Sequence, residues 1–183
     1  MIVSPSQLSG VVIIGTARFA DERGFFVERF NLKGFERLGL PTTFCQDNHS
    51  RSRPRVIRGL HFQSAPPQGK LLGVIRGRIW DVVVDIRPDS PTYGQHAGKE
   101  LSDADGELVW IPPGFAHGFC VLGDDPADVI YKVDQPYTPA SEGGIVWNDP
   151  DLAIEWPVMN PIVSERDNRL PSFAAYRRQP VVW

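Results

Sequence analysis

The chain has 183 residues, of which 42% are hydrophobic and 22% are charged, and its formal net charge is −3. This length and composition predict a single globular domain (1–183) that can bury a core without disulfides or metals. The slightly acidic balance, without a basic run, argues against nucleic acid as the main partner. No apolar stretch approaches the roughly 20 residues of a membrane-spanning helix, and no basic signal region opens the chain. We therefore expect a cytoplasmic protein without a membrane segment.

Short strands separated by turn residues dominate the sequence. Near the N-terminus, VVIIG and GFFVERF are typical of strands, and NLKGFERLGL (31–40) predicts a short helix that ends near Gly39. The segment WDVVVDI alternates strictly, which predicts a strand with two different faces. One face would carry Trp80, Val82, Val84 and Ile86, and the other Asp81, Val83 and Asp85.

Further strands are predicted in the second half of the chain. ELVWI (107–111) ends at two prolines, which cannot donate to a strand ladder, and HGFCVL restarts the pattern at once. Val129–Val133 and Gly144–Trp147 are further strands, and SERDNRL (164–170) predicts a second short helix. Glycine and proline number 17 each and are spread evenly, as expected for many strands joined by turns. This pattern predicts an all-β jelly roll with a few short helices, whose two sheets enclose a pocket.

The two cysteines are expected to be unpaired. Cys45 in TTFCQ and Cys120 in HGFCVL both have apolar neighbours, which favours buried free thiols over a disulfide. Two isolated cysteines are also too few for a zinc framework.

Two of the four histidines lie in apolar, glycine-rich segments. His61 is in RGLHFQ and His117 is in PPGFAHGF, whereas His49 and His96 lie in polar segments typical of a surface. A histidine in an apolar strand is costly unless it is hydrogen-bonded, so each is either a satisfied core residue or part of a site. The adjacent glycines allow close approach of backbone or ligand, which favours a site.

A metal site is the first function to consider for these histidines. The pattern P-x-G-x-x-H in PPGFAHG resembles the second metal-binding motif of the cupin superfamily. The first cupin motif carries H-x-H and then a glutamate, whereas His61 is followed by Phe62 and Gln63, and the next glutamate is Glu100. Because a stable divalent site usually needs at least three protein ligands, we expect no metal here.

General acid–base chemistry suits the remaining polar residues better. A histidine base needs an orienting group, and Asp167 is a candidate partner of His61. Lys70 could stabilise an oxyanion, and Tyr131 could be either a proton donor or a core tyrosine. Five arginines could bind phosphate or form a solvated basic loop: Arg23, Arg51, Arg53, Arg55 and Arg58. Together these residues indicate proton abstraction next to a carbonyl on a phosphorylated small molecule.

A series of motifs between about Asp21 and Asp167 carries a resemblance to a known family. In order, these are DERGFFVERF, FCQDNHS, VIRGLHFQ, QGKLLGVIRGRIWDVVVDIR, SPTYGQ, WIPPGFAHGF, YKVDQPYTP, EGGIVWNDPDLAIEWP and SERD. The chain thereby resembles the dTDP-4-dehydrorhamnose 3,5-epimerase family. The resemblance implies a cupin-like, double-stranded jelly roll, a homodimer, and chemistry without a metal or other cofactor.

The resemblance also implies a substrate and a set of site residues. The substrate would be dTDP-4-dehydro-6-deoxy-D-glucose, epimerised at C3 and C5 to dTDP-4-dehydro-L-rhamnose. His61 would be the base, oriented by Asp167, with Lys70 holding the enolate and Tyr131 as the acid. Positions implied to bind the nucleotide-sugar are Arg23, Glu28, Gln46, Asp47, Asn48, Arg58, Lys70, His117, Tyr137, Glu142 and Arg166. Among these, Tyr137 would stack on the thymine.

Two features of the sequence leave alternatives open. Strict strand parity places Arg58 and His61 on opposite faces, whereas the family pattern sends both to the ligand. A bulge, or a contact to the ligand at the strand end or from the other subunit, would resolve this conflict. Val133 and Asp134 stand where many relatives have small polar residues, which leaves room for altered regiochemistry. The alternatives are an epimerase acting at C3 or C5 alone on a related dTDP-ketosugar, and a sugar-nucleotide-binding cupin without catalysis.

Overall fold

The architecture comes from a computed structural model that describes residues 1–183 and contains fourteen strands and three short α-helices. In chain order the strands are β1 (Ile2–Pro5), β2 (Val12–Gly15), β3 (Arg18–Asp21), β4 (Gly24–Val27), β5 (Gln46–Ser52), β6 (Val56–Gln63), β7 (Lys70–Arg76), β8 (Arg78–Asp85), β9 (His96–Ser102), β10 (Leu108–Ile111), β11 (Phe115–Leu122), β12 (Ala127–Val133), β13 (Glu142–Gly144) and β14 (Ile162–Val163). The helices are α1 (Leu32–Arg37), α2 (Glu165–Asn168) and α3 (Phe173–Arg178), and a 3₁₀ turn covers Pro139–Ser141.

The strands form two main sheets and one separate hairpin. The first sheet has the order β1-β2-β10-β7-β12-β5, and the second has the order β13-β6-β11-β8-β9, with β14 pairing alongside β6. Strands that are distant in sequence lie side by side, as in β11 between β6 and β8. Strands β3 and β4 pair only with each other. The predicted all-β jelly roll with few helices is confirmed.

The core between the sheets is built by alternating residues of both. Strand β7 contributes Leu72 and Val74, and β8 contributes Ile79 and Val83, all at most 3% exposed. Full burial of each such side chain contributes about 1.5–3 kcal/mol. The alternation predicted for WDVVVDI is confirmed, because Val82 and Val84 point the opposite way, into a second cluster on the outer face of that sheet.

Each sheet is also covered on its outer face. The segment after β13 places Ile145, Leu152 and Phe173 on the outer face of the second sheet. Phe35 of α1, which is fully buried, covers the first sheet next to Trp110. Each sheet that forms a wall of the pocket therefore has side chains packed on both its inner and its outer face.

Both predicted helices are present but shorter than their patterns. Helix α1 begins after Asn31, whose side chain accepts from the Gly34 amide, and Gly39 beyond it has a φ of +67°. Helix α2 is capped by Ser164. The expected strand Gly144–Trp147 was wrong in its bounds, because β13 begins at Glu142 and ends at Gly144, where the pairing with β6 stops.

Both cysteines are free, as predicted. The expectation of burial is correct for Cys120 and wrong for Cys45, which is exposed. Cys45 lies just before β5, an edge strand of the first sheet, where the apolar neighbours Phe44 and Leu40 pack inward and the thiol does not. No helix in the structure combines the length and the apolar character that crossing a membrane requires.

Candidate active site

A cavity of about 380 Å³ lies between the two sheets, where β5, β7 and β12 face β6 and β11. Of its 17 lining residues, 7 are hydrophobic, so its wall offers a ligand both apolar surface and polar groups. Polar side chains from the first sheet are Gln46, Asn48, Ser50, Lys70 and Tyr131. Those from the second sheet are Arg58, His61, Gln63, His117 and Glu142.

A β-bulge in β6 brings Arg58 and His61 to the same side. In the pairing with β11, His61 lies opposite His117 and Arg58 lies opposite Phe119, so β6 has one extra residue between them. Gly59 occupies this irregularity with a φ of +123°, and a Cβ there would lie 2.5 Å from the Gly118 Cα. Only glycine fits, and the bulge resolves the conflict with strand parity.

His61 forms a pair with the carboxylate of Asp167. Its Nε2 lies 2.8 Å from Asp167 Oδ1, and the Gly59 amide at the bulge donates to Asp167 Oδ2 over 3.2 Å. Burial raises the pKa of Asp167, but the hydrogen bonds from His61 and Gly59 outweigh this effect and hold the pKa below its ordinary value. Because an ionised carboxylate can only accept, this contact requires a proton on the His61 Nε2, and in the neutral imidazole Nδ1 then has the lone pair.

A second histidine–aspartate pair lies beside the first. His117 Nε2 is 2.6 Å from Asp81 Oδ1, and Asp81, on the inward face of β8, is 3% exposed. His117 lies directly opposite His61 across the β6–β11 ladder. Each imidazole therefore has a carboxylate partner of its own. No group of three histidine, cysteine, aspartate or glutamate side chains is arranged to hold a metal ion.

Lys70, at the start of β7, is the cation of the cavity wall. It lines the cavity, and its burial lowers the pKa of the ammonium from 10.5 to about 8, although the charges of Asp134 and Glu142 act in the opposite direction. A cation at this position, held where water is scarce, can stabilise negative charge that develops on a ligand.

Tyr131 faces the cavity from the first sheet, whereas His61 faces it from the second. Burial raises the pKa of the Tyr131 phenol above its ordinary value, with the Arg58 charge opposing this shift and the Glu142 charge adding to it. The phenol is therefore protonated at neutral pH and can donate. A proton acceptor and a proton donor thus face the same space from opposite walls.

Glu142 links three elements at the edge of the cavity. Its Oε2 accepts from the Tyr137 hydroxyl over 2.6 Å and from Arg166 Nη2 over 2.5 Å. Burial raises the pKa of Glu142, but these two hydrogen bonds outweigh burial and leave the pKa lowered. The side chain of Tyr137 is half exposed, so this ring lies where the cavity meets solvent.

Comparison with known proteins agrees with this geometry. The family model described as dTDP-4-dehydrorhamnose 3,5-epimerase matches residues 5–175. The chain belongs to this family. It is 48% identical to the dTDP-4-dehydrorhamnose 3,5-epimerase of Shigella flexneri over 169 residues, which cover 91% of this chain and 93% of the relative. Family members are isomerases, and so is this protein.

Two further matches bear on the reaction. A solved dTDP-6-deoxy-D-glucose-3,5-epimerase of Legionella pneumophila, in complex with dTDP-4-keto-L-rhamnose, is 45% identical with a TM-score of 0.89 and covers 93% of this chain and 92% of its own. A dTDP-4-dehydrorhamnose 3-epimerase of Streptomyces niveus is 40% identical over 91% of this chain and 81% of that relative.

Most site residues predicted from the epimerase motifs come together in the structure. His61, Lys70 and Tyr131 line the cavity, and Asp167 lies behind His61. Of the residues predicted to bind the nucleotide-sugar, six more line it: Gln46, Asn48, Arg58, His117, Tyr137 and Glu142. Arg166 adjoins it through Glu142.

Three predicted residues of the epimerase lie away from the cavity. Asp47 falls on the outer face of β5, between two inward residues, and its carboxylate pairs with Lys132 over 2.8 Å. Arg23 is at the turn of the β3–β4 hairpin and binds Asp21. Glu28 follows that hairpin and accepts from Asn31. Strand alternation explains why Asp47 points away from the cavity. Arg23 and Glu28 lie away from it because the β3–β4 hairpin pairs with neither main sheet.

The epimerase motifs did not identify every residue of the cavity. Asp81 was missed, although its position on the alternate face of WDVVVDI placed a carboxylate inside the sandwich. Gln63, 3% exposed, shares the face of His61 two residues earlier, and that spacing was the available signal. Gln68 lies in the loop before Lys70 and carried no pattern of its own.

Proposed function

We propose that this protein epimerises C3 and C5 of dTDP-4-dehydro-6-deoxy-D-glucose and so forms dTDP-4-dehydro-L-rhamnose. The observation that carries this proposal is the placement of His61 and Tyr131 on opposite walls of one cavity, with Lys70 beside them. Inversion of a carbon centre needs a base on one face of the sugar and an acid on the other. Membership of the epimerase family supports the substrate class.

The proposed reaction uses only side chains of the cavity. The C4 ketone acidifies the protons at C3 and C5, and His61 Nδ1 takes one of them as the C–H electron pair moves to the ketone oxygen. Lys70 stabilises the resulting enolate oxygen through its positive charge. The enolate collapses back to the ketone as Tyr131, or a water, delivers a proton to the opposite face of the carbon. Release of the proton from His61 to solvent and reprotonation of Tyr131 by solvent restore the starting state, and a second cycle at the other carbon completes the product.

Asp167 has an orienting role in this proposal. Its carboxylate holds Nε2 of His61 in the protonated tautomer and stabilises the imidazolium that forms when the base accepts the proton. The Gly59 amide donates to that carboxylate, and the α2 cap, in which Ser164 accepts from the Asp167 amide over 3.0 Å, holds the backbone of Asp167 in place.

We propose that the remaining polar residues bind the nucleotide part. Arg58 suits the diphosphate, because a guanidinium binds phosphate oxygens in pairs, and it stands on the same face as His61. Tyr137 at the cavity edge offers a ring for the thymine to stack on, and Gln46 and Asn48 offer amides. Asp47 remains a predicted ligand contact, and its side chain would have to leave Lys132 and turn towards the cavity to make it.

A homodimer is proposed to complete the site. The β3–β4 hairpin exposes Phe19, Phe25 and Phe26 by 64%, 55% and 66%, an apolar surface that a second copy would bury. The hairpin also carries Arg23, and Glu28 follows it, so a partner's hairpin could deliver both charges to this cavity. Phe26→Ser should shift the sedimentation mass towards the monomer and raise KM. An unchanged mass with unchanged KM would contradict this role.

We further propose that the reaction is metal-independent and cytoplasmic, and that residues 1–183 act as one domain. Each cavity histidine already has a carboxylate partner, which supports proton transfer without a metal. The free thiols Cys45 and Cys120 suit a reducing compartment. The shared core between the sheets supports a single domain. Full activity after dialysis against a chelator would agree with the first point, and loss of activity with stoichiometric bound metal would refute it.

A single-position epimerase is the second candidate. The Streptomyces niveus relative, named as a 3-epimerase, has 40% identity to this chain, so the family includes members with narrower action. Incubation in deuterated water separates the two: label at both C3 and C5 supports double epimerisation, and label at one carbon supports the alternative. His61→Ala should abolish exchange while dTDP still binds. A wild-type protein that binds dTDP without any exchange would instead be a non-catalytic binding module.

A further inference from the structure

The segment that carries Tyr137 is held by side chains rather than by strand pairing. It follows β12 and precedes the 3₁₀ turn, and its residues 135–138 lie outside every strand. Gln68 donates to the Gln135 carbonyl over 2.8 Å, and the Tyr137 amide donates to Gln46 over 3.1 Å. These contacts come from strand β5 and from the loop that precedes β7. The position of this segment therefore depends on side-chain amides that reach it from outside.

Gln63 makes the largest share of these contacts. Its Nε2 donates to the Pro136 carbonyl over 3.1 Å and to the Pro66 carbonyl over 3.0 Å, while its Oε1 accepts from the Thr138 amide over 2.8 Å. Both N–H groups and the carbonyl of the amide are used, and the residue is 3% exposed. The amide therefore binds the backbone on both sides of Tyr137 and has no donor left for a ligand.

The location of Gln63 connects this segment to the base. Gln63 follows His61 by two residues on β6 and points to the same face, with His61 anchored through the β6–β11 ladder. The position of Tyr137 relative to His61 is thus set by β6, which carries both His61 and Gln63, and by the side-chain amide of Gln63. Its hydroxyl then reaches Glu142, beside Lys70.

We propose that Gln63 is a positioning residue, which sets the distance between Tyr137 and the base His61 and so aligns the nucleotide end of the ligand with the reacting carbons. The inference rests on the proposed function. Gln63 acts through the backbone of Pro136 and Thr138 and does not touch the reacting atoms. Its loss moves the Tyr137 ring, which weakens ligand binding more than it slows proton transfer in the bound complex.

The test compares Gln63→Met with a neighbouring control. The methionine keeps the length and removes all three hydrogen bonds, so the Kd of dTDP and the KM of the substrate should rise tenfold or more while kcat falls less than threefold. Ser64→Ala is the control, because it removes one side-chain bond to the Ser141 carbonyl and leaves the Tyr137 segment untouched. The control should stay within twofold of wild type. An unchanged dTDP Kd in folded Gln63→Met would overturn the proposal.

A double-mutant cycle distinguishes positioning from a general loss of structure. If Gln63 acts through Tyr137, Gln63→Met should change the dTDP Kd less than twofold in a Tyr137→Ala background. Equal tenfold effects in both backgrounds would refute the role. If the wild-type protein binds dTDP and exchanges protons, but the effects of Gln63→Met and Tyr137→Ala on the dTDP Kd are additive, only the role of Gln63 is refuted. If the wild-type protein neither binds dTDP nor exchanges protons, the proposed function is refuted as well.

Gln63→Glu keeps the proposal testable if the methionine variant does not fold. The carboxylate still accepts from Thr138, but it presents oxygen to the Pro66 and Pro136 carbonyls in place of two donors. Burial beside two carbonyl oxygens raises the pKa of this carboxyl, and protonation restores one donor, so dTDP affinity relative to wild type should recover as the pH falls through that pKa. A ratio that does not change with pH would count against the hydrogen bonds as the means of positioning.

Discussion

Replacing Lys70 with methionine should make the protein more stable and at the same time inactive. Burial in the cavity lowers the pKa of the ammonium from 10.5 to about 8, so the folded state holds this proton less tightly than the unfolded chain does. At one pKa unit per 1.36 kcal/mol, the shift corresponds to roughly 3 kcal/mol of destabilisation at pH 7. Methionine has a similar length and no charge to desolvate, so Lys70→Met removes this cost.

The stability difference between Lys70→Met and wild type should depend on pH. Between about pH 8 and pH 10.5 the unfolded chain binds more protons at this position than the folded protein, so wild-type stability rises with pH in that window. The advantage of Lys70→Met should therefore be constant below pH 8 and shrink above it. Urea denaturation of both proteins at pH 7 and pH 9.5 measures the difference.

Activity should change in the opposite direction. Loss of the cation that faces the enolate should lower kcat by about 10²–10³-fold, as for removal of one oxyanion donor. The wild-type rate should also fall as pH rises through about 8, because Lys70 loses its charge there. A Lys70→Met protein that is less stable than wild type at pH 7, or an advantage that does not shrink by pH 9.5, would refute the reasoning.

Three further predictions follow from the same contacts. Asp167→Asn should lower kcat by about 10²–10⁴-fold with little change in KM, because the carboxylate that keeps the proton on His61 Nε2 is lost. Solvent deuterium exchange measures this loss of activity. Glu142→Gln removes a charge that raises the pKa of Lys70, so the alkaline limb of the pH–rate profile should move to lower pH; no movement would contradict the assignment. Gly59→Ala should destabilise the fold by about 3 kcal/mol or more in thermal melts, because it adds a clash to an unfavourable φ. Gly24→Ala, at a φ of +127° with nothing within 4 Å of its Cβ, is the control and should cost less.

The sequence predicted those parts of the fold that depend on local pattern. The alternation in WDVVVDI fixed which residues of β8 face the inter-sheet core, and Pro112 and Pro113 marked the end of β10. The strand assigned to Gly144–Trp147 failed because an apolar run also suits a segment that covers a sheet. Ile145 packs in this way on the outer face of the second sheet.

The site was predictable through motifs rather than through spacing. Strand parity alone separated Arg58 from His61, and only the pairing with β11 reveals the extra residue at Gly59. The partner of His117 was hidden for a similar reason, since Asp81 lies on a different strand and 36 residues away. The position of Arg23 depends on a hairpin that pairs with no other strand of its own chain, which no local pattern encodes.

The pairing of His61 with Asp167 also has a consequence during synthesis. The two residues are 106 positions apart, and Asp167 lies on α2 in the segment that closes the outer face of the second sheet. Until this segment has emerged from the ribosome, His61 lacks the carboxylate that orients it. Full activity therefore requires synthesis to pass residue 167, and a protein clipped before residue 164 would keep the base His61 without its orienting carboxylate.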